Sequence, residues 1–344
     1  MRVLIAGLGS IGQRHARNLR TVMGDRVELL AYRVRGLPHV ITDRMTLDRS
    51  AVVEDRLGIR AFDDLDAALA EAPAAVIVSN PTRFHLATAN KAVHAGCHVL
   101  IEKPLSDSYD GVEDFIACAQ RRRLVAAVGY QMRFHPALLR LRALLAEARV
   151  GPIQRVRAEW GEYLPDAHPY EDYRQSYAAR ADLGGGVILC FIHELDYLVW
   201  LFGAPKRVSA IGGRSGALEA DVEDWATTTM THQIGGREVT IELRQCFSQR
   251  TPSRSCLVTG ANGTIAIDLN APSLEFRSND GQVVSRETFA PFQRNDLFVN
   301  EIKNFLSAID GGVVAVPARD GAISLRVALA AKQSIVTGRA VDLS

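Results

Sequence analysis

The chain lacks a C-x-x-C pair, a long unbroken apolar run, an internal repeat and any strong excess of one charge. Its five cysteines (Cys97, Cys118, Cys190, Cys246 and Cys256) are dispersed. An odd, scattered set reads as reduced thiols in a cytoplasmic protein, and argues against a disulfide framework or a zinc site. The formal net charge is only +1. No global basic field therefore draws in nucleic acid or an anionic membrane, and any bound anion needs a local site. The opening MRVLIAGLGSIG is apolar, but it is short, broken by glycines and followed by RHARNLR, so it fits neither an export signal nor a membrane span. What remains is ordinary globular material, 47% hydrophobic and 23% charged. At 344 residues it is long for a single core, which predicts two domains, 1–127 and 128–344.

In the first part, short apolar runs alternate with helical patterns. The runs are 3–6, 27–32, 75–79, 98–101 and 124–129, each too continuous for a half-exposed strand and suited to a parallel strand covered on both faces. Between them, 11–21, 83–95 and 109–122 read as helices, and Asp63-Asp64-Leu65-Asp66 reads as a helix start. This alternation predicts an α/β fold built on a doubly wound Rossmann sheet. After His135 the texture changes. A helix over 136–148, the turn Gly151-Pro152 and a strand over 153–163 lead to a polar, aromatic loop. Gly184-Gly185-Gly186 then opens an apolar helix over 187–202. Strands at 225–232, 238–247, 255–259 and 264–268, separated by glycine turns, predict a large antiparallel sheet. Helices over 296–309 and 319–337 close the chain.

Gly7-Leu8-Gly9-Ser10-Ile11-Gly12 is a G-x-G-x-x-G placed directly after a strand and opening a helix, the context that makes it a dinucleotide fingerprint. Gly7 permits the tight turn, Gly9 lets backbone approach the pyrophosphate, and Gly12 lets helix and sheet pack closely. The free N–H groups of the helix start suit phosphate. The second strand ends at Tyr32, where an acid would bind an unphosphorylated ribose, and Arg33 follows. The sequence thus leans to NADP over NAD, with Arg33 on the 2′-phosphate; an Arg33 stacked on adenine would suit either cofactor.

Two more stretches fall at the carboxyl edge of the parallel sheet, where such folds bind ligands. One holds Ser79, Asn80 and His85; the other is Glu102-Lys103-Pro104. Both are expected to line the cofactor site. Lys103 there can reach a substrate hydroxyl beside a nicotinamide. The loop 163–177 is dense in hydrogen-bonding and aromatic groups, with Tyr163 and Tyr173 as candidates for a hydroxylated ligand; a solvated loop or a subunit contact fits it equally. Arg133 could bind an anionic substituent or pair with a carboxylate. His193 and Asp196 stand at i, i+3, yet no further ligand clusters with them, so no metal is expected.

GLGSIG, Asn80–His85, Glu102-Lys103-Pro104 and the segment GGGVILCFIHELD at 184–196 occur in an order and spacing that resemble the glucose–fructose oxidoreductase / inositol dehydrogenase (Gfo/Idh/MocA) family over nearly the whole chain. The resemblance implies a Rossmann domain followed by a C-terminal α/β domain with an open sheet that forms a homo-oligomer, a dimer or tetramer. It implies hydride transfer at a carbon of a small sugar, sugar derivative or cyclitol, with Lys103 as catalytic lysine and His193 facing the substrate. Neutral His193 would take or return the hydroxyl proton while Lys103 holds the hydroxyl and steadies charge on its oxygen. Where many members carry an aspartate shortly before this histidine, Cys190 stands here, and a thiol is a weak replacement. Two other readings follow from that departure and that resemblance: a dinucleotide-binding sensor or scaffold without turnover, and a glycoside hydrolase using NAD transiently.

Overall fold

The computed structural model describes residues 1–36, 39–42 and 45–343. Six parallel strands form the first sheet: β1 (Arg2–Ala6), β2 (Glu28–Tyr32), β3 (Ile59–Phe62), β4 (Ala75–Val78), β5 (His98–Glu102) and β6 (Ala126–Gly129). Their spatial order is β3-β2-β1-β4-β5-β6. The order reverses between β1 and β4, which opens a crevice at the carboxyl ends of those two strands. Val76, Ile77 and Val78 are fully buried, as continuous apolar strands sandwiched between helices must be. The α/β class and the Rossmann sheet expected from the sequence are present. Strand β3 lies outside the apolar runs picked out above. It is an edge strand whose Arg60 faces solvent, so it carries no unbroken apolar signal.

The second sheet has nine strands. They are β7 (Ile153–Tyr163), β8 (Arg207–Gly213), β9 (Trp225–Ile234), β10 (Arg237–Cys246), β11 (Ser248–Gly260), β12 (Gly263–Asp268), β13 (Ser273–Ser278), β14 (Val283–Thr288) and β15 (Val341–Asp342). The order is β14-β13-β12-β11-β7-β10-β9-β8-β15, antiparallel throughout except for β7 beside β10. Alternation along β9 buries Ala226, Thr228, Met230 and His232 while Thr227, Thr229 and Thr231 stay partly exposed. One face of the sheet is thus packed and the other open.

The apolar segment expected as one helix over 187–202 is two: α1 (Val187–Cys190) and α2 (Ile192–Phe202), with Phe191 between them at φ −96°, ψ 28°. An all-round apolar pattern is blind to such a break, because both arms are buried. The break has a tertiary cause. Phe191 stacks on Trp160 at 3.7 Å between ring centroids, and its carbonyl accepts from the Gln245 side chain at 2.9 Å. No single helix among the described residues is long and apolar enough to cross a membrane.

The last long helix, α3 (Ala318–Thr337), returns to the first sheet. Pro317 bridges Ala127, and the Val128 amide donates to Val316 O at 3.1 Å. Gly321 sits so close that a Cβ there would meet Val128 Cγ2 at 2.5 Å. One buried apolar cluster consequently runs from Leu4 and Val78 through Ile188 and Leu195 to Leu325 and Ala331.

Candidate active site

The glycine turn stands at the switch point. Gly7 has φ +106°, and a Cβ on it would lie 2.6 Å from the Asn80 amide nitrogen, so the two βα loops press together there. At Gly12 a Cβ would fall 2.0 Å from Gly7 O. Gly9 differs: nothing lies within 4 Å of its Cβ position, so its backbone faces open space. The helix that follows, Ser10–Met23, has no side-chain cap and no acid in its first turn. Its unpaired N–H groups and positive end, carried by Ser10, Ile11 and Gly12 behind Leu8, are left for an anion. These features fit the pyrophosphate of a dinucleotide. From the other half of the chain, Tyr170 comes near Ser10, and burial pushes its phenol up to about 12.

Several residues expected to touch the cofactor instead hold the loops. Ser79 Oγ donates to Gly7 O at 2.8 Å. His85 is buried, with Nδ1 2.7 Å from Pro104 O and Nε2 2.8 Å from Asn80 O. Burial lowers the imidazole below its usual range, so the neutral ring has one N–H to give to one of the two carbonyls, and either tautomer ties the Asn80 loop to the Lys103–Pro104 loop. Asn80 Nδ2 donates to Thr88 Oγ1 at 2.9 Å while its buried Oδ1 has no protein partner. Arg33, proposed for the 2′-phosphate, is ion-paired with Glu54.

Lys103 and His193 lie near each other between the sheets, close enough for the lysine's charge to act on the imidazole. Lys103 Nζ donates to Cys190 O at 2.9 Å, a carbonyl that the break before α2 leaves outside the helical ladder. The Cys190 thiol itself stays protonated, since burial raises it to about 11. His193 is 3% exposed, and burial, then the charges of Lys103, Arg254 and Arg294, hold its imidazole well below the usual range. It is therefore neutral near pH 7. The Gln131 amide lies 3.2 Å from Nε2, and Nδ1 has no protein partner. A neutral imidazole with an unclaimed nitrogen can accept a proton, or return one, at a bound hydroxyl.

The remaining candidates separate. Arg133 is nearly fully buried and forks onto Asp196 at 2.8 and 2.9 Å, with a third bond to Asp320 at 2.7 Å. Its donors are committed to carboxylates, so the pairing expectation holds and the anion-binding one does not; Asp196 is structural. Tyr173 OH accepts from the Glu219 amide at 3.1 Å, and Tyr163 lies under Arg250, 3.6 Å from ring centroid to guanidinium carbon. Three residues from Trp160 along a pleated strand, Tyr163 points to the opposite side. Neither tyrosine is brought to His193 by any contact in the structure.

Sequence reasoning missed a buried trio under Lys103. His15 Nε2 donates to Glu102 Oε1 at 2.7 Å, and Glu301 stands beside them with all three ligand atoms within 4.8 Å. Burial drives the Glu102 carboxyl up, but the hydrogen bond from His15 together with the charges of His15, Lys103 and His85 leaves it below the usual range. Neither oxygen of Glu301 has a protein partner; burial, then the charge of Glu102, hold its carboxyl well above the usual range, so it keeps its proton. A neutral acid is a poor metal ligand. Because the folded-state value lies above the unfolded one, stability is fully present below pH 4.5 and declines as pH rises through the folded value. Glu301→Gln is expected to raise Tm by a few degrees at pH 8 and by much less at pH 5, read by thermal melts; equal shifts at both values would overturn this assignment. No amphipathic signal marks Glu301, because His15 and Glu102, which flank it, come from distant parts of the chain.

Fold and site together define a dinucleotide-binding oxidoreductase: a Rossmann switch point beside a lysine and a neutral histidine. The family model for the oxidoreductase family with NAD-binding Rossmann fold matches residues 1–130, and that for the GFO/IDH/MocA C-terminal domain matches 138–266. UDP-N-acetylglucosamine 3-dehydrogenase of Acidithiobacillus ferrooxidans is 30% identical over 90% of this chain and 88% of its own. A solved structure of that enzyme superposes with TM-score 0.76 at 28% identity, covering 97% of each chain. The fold is shared as well by the WlbA dehydrogenase of Bordetella pertussis, TM-score 0.81 at 19% identity over 100% and 99% of the two chains. The chain belongs to the GFO/IDH/MocA family of NAD-binding oxidoreductases.

Proposed function

We propose that the protein is a dehydrogenase or reductase of a sugar, sugar derivative or cyclitol, acting at one CH–OH carbon. The observation that carries this reading is the placement of Lys103 against the freed Cys190 carbonyl, beside a buried, neutral His193. The related UDP-N-acetylglucosamine 3-dehydrogenase supports the sugar class. Residues 1–127 hold the cofactor and 128–344 supply the substrate side and, through the open sheet face, a homo-oligomer contact. The nicotinamide, when bound, takes up or gives the hydride. Lys103 then orients the hydroxyl and steadies negative charge on its oxygen, and His193 takes the proton.

For the cofactor we propose NAD. The leaning to NADP required Arg33 to meet a 2′-phosphate, but in the fold Arg33 pairs with Glu54, which brings a carboxylate to the same place. A phosphate there would meet like charge. The test is a panel of aldoses, hexosamines, inositols and nucleotide sugars with NAD and with NADP, following absorbance of the reduced cofactor and analysing products. Stoichiometric NADH with an oxidised sugar is expected, with NAD preferred by about tenfold or more, the scale of one repulsive charge contact. Released sugar without net cofactor reduction would turn the reading to the hydrolase. Dinucleotide binding without turnover on any of these would turn it to the sensor.

A further inference from the structure

The wall of the cleft facing His193 carries three cations, Lys103, Arg254 and Arg294, that the described carboxylates around them do not fully neutralise. Arg254 projects from β11, Arg294 begins the helix Arg294–Ile309, and both act on His193 together with Lys103. Arg14, from the helix after the glycine turn, is already engaged, 3.1 Å from Asn295 Oδ1 and 4.9 Å from the Phe298 ring centroid, and is not counted with them. Although Arg294 keeps exposed surface, desolvation of its guanidinium, then the charges of Arg254 and Arg14, lower it below the usual arginine range. Arg294 makes no ion pair among the described residues, and it is exposed. Against these stand two carboxylates. Glu162 is engaged by Trp160 Nε1 at 3.3 Å. Glu194 binds Arg254 Nε at 2.6 Å, but burial lifts its carboxyl to about 7, so near neutrality it is ionised only in part.

Arg254 adds an independent sign. Its side chain is 10% exposed, its guanidinium lies 3.7 Å from the Trp160 ring centroid, and its Nη2 is buried with no partner. A guanidinium N–H left unpaired in a buried position costs stability unless a ligand oxygen completes it. The Arg294 side chain also sits at the start of a sixteen-residue helix, whose first turn already holds Asp296. Trp160 stacked on Phe191 supplies a flat apolar floor beneath the cation.

We infer that the substrate of this site carries an oxyanion, a carboxylate or a phosphate ester on the sugar, which Arg254 and Arg294 grip while the reacting carbon faces His193. This rests on the dehydrogenase reading for its reacting carbon, but not for its charge. By contrast, Arg133 and Arg33 are matched by acids, and Arg250 stacks on Tyr163.

The test is calorimetric titration of the NAD-loaded protein with glucose, glucuronate, glucose 6-phosphate and UDP-glucose, at low and at high salt. At least one anionic probe is expected to bind tenfold or more tightly than glucose, with the advantage shrinking as salt rises. Preference for glucuronate alone identifies a carboxylate; preference for both phosphorylated probes identifies a phosphate. Arg294→Met, an exposed position that leaves the fold intact, should weaken that probe about 10- to 100-fold, the scale of a lost charge-assisted hydrogen bond, and leave NAD affinity unchanged. Three results overturn the inference: equal binding of glucose, no binding by any anionic probe, or an Arg294→Met loss that falls on NAD. Turnover is scored apart from binding. Anionic probes that bind but never reduce NAD leave the charge assignment standing and remove the dehydrogenase reading instead.

Discussion

Replacing Lys103 by alanine is expected to lower kcat about a thousandfold, within the range for removal of a positioned acid–base or charge-stabilising group, while NAD still binds. The lysine contributes to the reacting hydroxyl and not to the cofactor's anchorage, which lies at Gly7–Gly12. Its Nζ is held by Cys190 O, so truncation leaves a carbonyl facing the cleft but disturbs no ion pair with another side chain. The fold should therefore persist, and kcat and kcat/KM should fall together. Unchanged turnover would remove Lys103 from the chemistry. A parallel loss of NAD affinity would move it to the cofactor. The pair of readouts matters because Lys103 follows Glu102, whose bond to His15 ties it to the helix after the glycine turn.

The second large effect is a separation between two glycines of one motif. Gly9→Ala is expected to keep wild-type Tm and lose NAD binding by about a hundredfold or more, since its Cβ enters open space that only a ligand would fill. Gly12→Ala should lose both. Its Cβ would stand 2.0 Å from Gly7 O and 3.0 Å from Ser79 Oγ, so the turn has to open before the helix can pack. Melting curves and calorimetry on the two variants decide the matter. Gly9→Ala binding NAD as tightly as the wild type would show that the dinucleotide does not approach this backbone.

Much of this was readable in advance, for reasons that lie in particular residues. The strand at 153–163 and the helix at 319–337 appear within a residue of the expected limits, because a glycine turn marks the start of one and Pro317 precedes the other. The glycine motif carries its own local geometry, so its place needed no tertiary information. What escaped was set by distant partners. Phe191 breaks a helix because Trp160 and Gln245 claim its ring and its carbonyl. Arg33 looked available beside the ribose until Glu54 folded onto it. His85, read as a ligand contact, turned out to have two backbone carbonyls on its ring. Side-chain identity marks where chemistry can occur, but pairing decides which groups are left over for it.

The return of residues 316–321 to strand β6 bears on modularity. Val316 and Pro317 lie against the outer strand of the parallel sheet, and α3 seals its face through Gly321. A protein cut after β6 would carry every cofactor motif yet present a bare strand edge and a stripped apolar face, the surface on which chains aggregate. The nucleotide-binding half is accordingly not an interchangeable part. A chimera that exchanges the substrate half has to carry over the helix Arg294–Ile309, whose Ile302 and Phe305 join the first half's core, and the residues after it, which makes the seam between them run through the chain's end as well as its middle.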